Sequence, residues 1–217
     1  MNETESGVIL LISAPSGAGK TTVCENLLAN NDSLSRAITC TTRQARDGEQ
    51  HGKDYYFLSP EEFELRVQEG AFLEHAEVYG KRYGTLKSEV LRILSEGKNV
   101  LLNIDVQGAQ LLRRRAESDP TIHRALVTVF LTPPEWDELE RRLRSRATES
   151  DETLATRLGT AAKELEASAD FDYLVLSETR EEDLRRMQVI LEAESLRRLR
   201  SHLPGELMRK AQKEAKP

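Results

Sequence analysis

At 217 residues, with 31% of its side chains charged and a formal net charge of −6, the chain is long enough for one medium domain with small inserts around a well-buried core. No apolar run is long enough for a transmembrane helix, and the acidic start, MNETESG, ahead of a short apolar stretch excludes a secretory leader. The negative balance argues against general nucleic-acid binding, while Cys24 and Cys40 lack metal spacing and fit a reduced, cytoplasmic setting.

Val8–Ile12, VILLI, has the length and composition of a buried parallel strand. It runs into SAPSGAGKTT, Ser13–Thr22, which reads as a phosphate-binding loop. Gly17 and Gly19 permit a tight turn whose N–H groups converge on phosphate oxygens. The helix that starts near Lys20, read as Thr22–Asn30, aims its positive end at the same point. Lys20 adds a full charge, and the Thr21 hydroxyl can ligate a magnesium ion. Ala14 stands where the strict pattern has glycine. The nucleotide-binding stretch is therefore Ala14, Pro15, Ser16, Gly17, Ala18, Gly19, Lys20, Thr21 and Thr22.

Residues 38–87 interrupt the alternation of strand and helix. Their aromatics, glycines and short alternating runs predict an inserted antiparallel piece with one helix, Pro60–Glu69. The rhythm then resumes: strand Asn99–Asp105, helix Val106–Arg115, and strand Ala125–Leu131. Glu138–Arg157 is rich in Arg and Glu, which suits a mobile, solvated lid. Strand Phe171–Leu176 follows, then a helix over Glu181–Arg200 with Leu184, Met187, Ile190, Leu191 and Leu199 on its apolar side. The polar tail from Gly205 is expected to fray. Strands alternating with helices predict an α/β fold with a parallel sheet, ligands binding beyond the strand ends.

The motifs TTRQAR-x-GE (Thr41–Glu49), HGKDY (His51–Tyr55), AFLEHAEV (Ala71–Val78), YGT (Tyr83–Thr85) and NIDVQGAQ (Asn103–Gln110), taken with the phosphate loop, resemble guanylate kinase over nearly the entire chain. The resemblance implies a P-loop core (1–37, 88–137 and 158–217), a GMP-binding insert (38–87) and a lid (138–157). It also implies magnesium-dependent transfer of a phosphoryl group from ATP to GMP. Arg43, Arg46, Tyr55 and Tyr83 would hold the acceptor phosphate, which guanidinium forks and phenol hydroxyls suit. Glu74 and Asp105 would read guanine, with Thr39 and Thr85 beside them. A carboxylate accepts from guanine N1 and N2 and repels the lone pair on adenine N1. Arg142, Arg146 and Arg157 would stabilise the phosphoryl group in flight and complete the catalytic set with Lys20 on the donor phosphates and Arg43 on the acceptor phosphate; Arg141 and Arg144 read instead as part of a charged helix surface.

The chain departs from the family pattern in four places. Thr39 replaces a usual Ser and keeps the hydroxyl. Asn103 stands where an acid is common, which predicts weaker magnesium handling. Ser145-Arg146-Ala147 replaces Gly-Arg-Gly, predicting a stiffer lid hinge. Ser177-Glu178 replaces Asn-Asp of the adenine pocket, leaving donor preference open. Two rival readings share the scaffold: another nucleoside-monophosphate or sugar-phosphate kinase, and a non-catalytic guanylate-kinase-like binding module. The first predicts loss of Glu74 and Asp105, the second a damaged phosphate loop; neither loss is present.

Overall fold

The structure, a computed structural model, describes residues 7–78, 80–146, 151–200 and 205–214. In chain order its elements are β1 (Ile9–Ser13), α1 (Lys20–Ala29), β2 (Leu34–Arg36), β3 (Cys40–Thr41), β4 (Tyr56–Phe57), α2 (Pro60–Gln68), β5 (Phe72–Val78), β6 (Lys81–Leu86), α3 (Lys87–Ser95), β7 (Asn99–Asn103), α4 (Val106–Glu117), α5 (Pro120–Ala125), β8 (Leu126–Thr132), α6 (Trp136–Arg146), α7 (Asp151–Glu166), β9 (Tyr173–Leu176), α8 (Arg180–Ser195) and α9 (Gly205–Glu214).

β1 is buried along its whole length because it is the central strand of a parallel sheet ordered β2-β7-β1-β8-β9. Its two faces feed two cores. Leu10 and Ile12 pack with Val23 and Leu27 of α1 and with Met187 and Leu191 of α8. Ile9 and Leu11 pack with Val90 and Ile93 of α3, Leu112 of α4 and Ile122 of α5. A strand apolar on both faces is what a sheet covered by helices on both sides requires.

The insert builds a second sheet, β4-β3-β6-β5. β5 and β6 form an antiparallel pair and β3 joins β6 antiparallel, but β3 and β4 run parallel, with Cys40 opposite Tyr56. The expectation of a purely antiparallel insert is corrected there: the chain between β3 and β4 is a long excursion, so no hairpin reverses it. A small core of Cys40, Phe63 and Phe72 holds this sheet to α2, with the two phenylalanine rings stacked at 4.6 Å. Ser59 starts α2 through a capping box: its side chain accepts from Glu62 N, and Glu62 accepts from Ser59 N.

Several boundaries differ from the sequence reading. β7 ends at Asn103, so Asp105 is not a strand residue; it caps α4, its Oδ1 accepting from Gly108 N at 2.8 Å. α8 stops at Ser195, and Leu199 lies beyond it, 39% exposed. Arg200 folds back beyond this end and donates to Glu194 O at 3.0 Å, satisfying a terminal helix carbonyl. The segment from Gly205 forms α9. Residues 138–157 are not purely solvated: Leu139 and Leu143 of α6 and Leu154 of α7 are buried in the main core, and the edges at 138 and 157 fall inside these helices.

Candidate active site

The phosphate loop leaves the carboxyl end of β1. Gly17 (φ 86°) and Gly19 (φ 96°) take left-handed backbone conformations there, and Gly19 is the residue before the first turn of α1. Gly17 has a second constraint, since an added Cβ would lie 3.2 Å from the Leu143 side chain; α6 thus packs directly on the loop. Arg142, on the same helix, donates to Ala18 O at 3.3 Å and pairs with Glu138 at 2.7 Å.

Lys20 Nζ donates to Ile104 O at 2.6 Å, tying the loop to the chain just after β7. Loss of water holds the Lys20 ammonium below the usual lysine range, while Cys24, Asp105 and Glu164 act the other way. Glu164, from α7, accepts from Ser16 N at 3.3 Å, and burial raises its carboxyl above the ordinary value. A cleft of about 700 Å³ opens over the loop between α7, α4 and the end of β5. Its walls include Ser16, Lys20, Thr21, Asp105, Lys163 and Glu164. A further cavity of about 500 Å³ lies behind the loop, bounded by Gly17–Gly19, Thr22, Arg142, Ser177 and Glu178. Ser177 Oγ donates to Asp183 at 2.7 Å, and Glu178 pairs with Arg186 at 2.7 Å.

On the other side of Lys20 a cavity of about 320 Å³ faces the inserted sheet. Thr39, Tyr55, Glu74, Tyr83 and Asp105 line it, together with Arg36 and Asn103. Lys20, Thr21, Val78 and Asp105 belong to both this cavity and the cleft over the loop, so the two are continuous. Glu74 is 5% exposed. Burial pushes its carboxyl up to about 7; nearby Asp105 adds to the rise, and Thr85 opposes it. Thr85 Oγ1 donates to Glu74 Oε1 at 2.6 Å, so Thr85 stands behind the carboxylate and not on the cavity wall. Gly108 brings α4 against both acids: its N–H reaches Asp105, and a Cβ there would lie 2.9 Å from Glu74 Oε2.

The arginines named from sequence do not all converge. Arg43 is gripped by Glu49 through both Nη atoms at 2.9 Å; Glu49 also accepts from Arg46 N at 2.7 Å, and these bonds hold its carboxyl down at about 2. The Arg43 guanidinium lies 5.4 Å from the centre of the Tyr55 ring, behind the tyrosines that line the cavity. Arg46 is exposed, and Arg157 is half-buried on α7; neither lines these three cavities. Arg146 ends α6, but its side chain and residues 147–150, hence the Ser145-Arg146-Ala147 hinge, lie outside the described residues. Arg141 and Arg144 pair with Glu138 and Glu140 on the surface of α6.

Sequence reasoning missed Arg36 and Glu164. Arg36 sits at the end of β2, donates to Asp54 O at 3.3 Å and lies 5.6 Å from the Tyr55 ring centre. Neither residue belongs to a recognisable motif, and only the tertiary fold brings them to the site. Among the described residues no group of three or more His, Cys, Asp or Glu could hold a metal ion. The hard oxygen donors beside the loop, Thr21 with Asn103 and Asp105 near it, suit magnesium bound chiefly through phosphate oxygens and water.

A phosphate loop at the carboxyl edge of a parallel sheet, continuous with a second cavity built on an inserted sheet, defines a P-loop nucleotide kinase scaffold. The guanylate kinase family model matches residues 6–194. The chain is 42% identical over 205 residues to the guanylate kinase of Clostridium perfringens (strain SM101 / Type A), covering 94% of this chain and 92% of that one. It is also 42% identical over 194 residues to the guanylate kinase of Paramagnetospirillum magneticum, covering 89% and 88%. Its fold matches the crystal structure of guanylate kinase from Anaplasma phagocytophilum with a TM-score of 0.71 at 34% identity, over 90% of both chains. The chain belongs to the guanylate kinase family.

Proposed function

We propose that the chain moves the γ-phosphoryl group of ATP onto GMP, giving ADP and GDP, with magnesium as the cofactor. The observation that carries this reading is the pair of continuous cavities sharing Lys20, Thr21 and Asp105; a nucleotide hydrolase has no use for the second. The donor phosphates lie along Ala14–Thr22 with Lys20, and the adenosine occupies the cavity beside Ser177 and Glu178. The acceptor base meets Glu74, Asp105 and Thr39, with Thr85 holding Glu74 in place. Tyr55, Tyr83, Arg43 and Arg46 serve the acceptor phosphate. We extend the reading to dGMP as a further acceptor, which the assay below tests.

No general base is needed, because the nucleophile is a phosphate oxygen already anionic at neutral pH. Catalysis then rests on in-line positioning and charge stabilisation. Lys20, held on Ile104 O, presents a fixed positive charge to the donor phosphates. Thr21 would hold magnesium through its hydroxyl, and the ion would supply neutralisation of phosphate charge. Arg142, Arg146 and Arg157 are assigned to the phosphoryl group as cations carried by the segment 138–157. Asn103 would offer magnesium and its waters an uncharged oxygen where an acid would add charge, and Asn103→Asp is expected to lower the magnesium concentration needed for half-maximal activity.

Both thiols are buried and pushed up, Cys24 to about 12 and Cys40 to about 11, which fits inert core cysteines in a reduced, cytoplasmic protein. Among the described residues no helix is long and apolar enough to cross a membrane. The test is a coupled ADP-release assay with GMP, dGMP, AMP, UMP and CMP at fixed ATP. Turnover with the guanine nucleotides alone supports the reading; equal turnover with AMP, or none with GMP, removes it.

A further inference from the structure

We propose that the protein carries a second anion site, for a diphosphate group, at the end of the central sheet opposite the phosphate loop. β1 and β8 run parallel, paired from Ile9 with Leu126 to Ser13 with Phe130. The phosphate loop follows Ser13, whereas the new site adjoins Leu126, at the start of β8. A solvent-open cavity of about 420 Å³ lies there, lined by His123, Arg124, Asp172, Arg197 and Arg200 among others.

In a chain of net charge −6, three guanidinium groups and an imidazole around one cavity need a reason. Helix ends account for part of it. Arg200 donates to Glu194 O at the end of α8 and to Leu126 O at 3.3 Å, and it pairs with the Glu194 carboxylate. Arg197 reaches the same carboxylate at 3.3 Å. The remainder is unexplained by such contacts. Arg200 is 2% exposed, and its Nε is enclosed without a hydrogen-bond partner, so it serves the cavity as a fixed positive charge behind the exposed Arg124 and Arg197. The Arg124 side chain, in the last turn of α5, has no hydrogen-bond partner among the described residues.

The acids nearby are already engaged. Asp172 Oδ2 accepts from Thr128 N at 2.8 Å and from Thr128 Oγ1 at 2.7 Å. Glu194 also accepts from Tyr173 OH at 2.6 Å. The cavity is therefore positive on balance and short of acceptors. Guanidinium forks recognise phosphate oxygens in pairs, which a halide cannot satisfy. The volume, at the small end of ligand sites, fits a diphosphate, either free or carried by a small molecule.

The test reads His123, which lies in this cavity and not at the phosphate loop. Its imidazole resonance is assigned by its loss in His123→Gln, and the protein is kept saturated with ADP and GMP, without magnesium and at constant ionic strength. Pyrophosphate is expected to shift the resonance saturably where sodium chloride does not. Arg124→Ala with Arg197→Ala, both at exposed positions, should weaken the response about tenfold or more. A response to pyrophosphate alone assigns the free anion; a response also to uridine diphosphate assigns the diphosphate group whatever carries it. No saturable shift, an equal shift with chloride, or an unchanged response in the double variant overturns the site.

Discussion

Gly108 and Glu74 stand so close that a Cβ on the glycine would lie 2.9 Å from Glu74 Oε2. Glu74 cannot simply swing aside, because Thr85 holds its other oxygen at 2.6 Å. Gly108→Ala is expected to keep the fold, since alanine favours a helix interior. It should raise KM for GMP about tenfold or more by displacing the base reader and leave KM for ATP nearly unchanged. Steady-state kinetics with both substrates, beside a thermal melt, check this.

The raised Glu74 carboxyl predicts a pH dependence. Only its ionised form accepts from both guanine donors, so with a value of about 7 KM for GMP should rise about tenfold from pH 8 to pH 6. Glu74→Gln should flatten that part of the profile and lose discrimination against AMP. The same shift bears on stability. The folded group holds its proton up to about 7 and the unfolded group only to 4.5, so stability falls as pH rises through this window. Glu74→Gln should therefore be more stable than the parent at pH 8, by at most on the order of 3 kcal/mol, and equal to it at pH 4. Denaturant melts at the two pH values decide.

Glu49 is the clamp on Arg43. With Glu49→Gln, Arg43 loses its paired acceptor and its fixed position behind Tyr55. KM for GMP is expected to rise about tenfold with kcat changed less, since a forked pair loses geometry as well as charge. An unchanged KM would show that Arg43 needs no clamp.

Leu143 is 1% exposed and packs on Gly17. Leu143→Ala should cost about 2–5 kcal/mol and also raise KM for ATP, because the cavity opens against the phosphate loop. A comparable truncation at Ile122, on the other face of the sheet, should cost similar stability without the effect on ATP.

The cavity proposed for the donor base offers few uncommitted groups at Ser177 and Glu178. Ser177 is spent on Asp183 and Glu178 on Arg186. Without dedicated base-reading bonds, discrimination between ATP and GTP as donors should stay within about a hundredfold in kcat/KM. A donor panel at fixed GMP measures it.

The phosphate loop was legible in sequence because its chemistry is local: strand, turn, lysine and helix follow one another within a few residues. β2 was not, since three residues, Leu34–Arg36, carry too little periodicity to declare a strand. Asp105 read as a strand end because an apolar run precedes it; the structure makes it a helix cap as well as a cavity residue. Arg36 and Glu164 were invisible for another reason. Glu164 meets Ser16 across 148 positions of chain, and a single charged residue on a polar helix carries no sign of which tertiary neighbour awaits it. Arg43 was found by its motif, but its engagement by Glu49 depends on the loop's conformation.

The bond from Lys20 to Ile104 O gives donor and acceptor a common anchorage, one residue before Asp105. Whatever steadies that short peptide on behalf of guanine steadies the ammonium on behalf of ATP, and the converse must hold with equal strength. With the roles proposed above, ATP and GMP are expected to assist one another's binding, so that each dissociation constant falls when the other nucleotide is present.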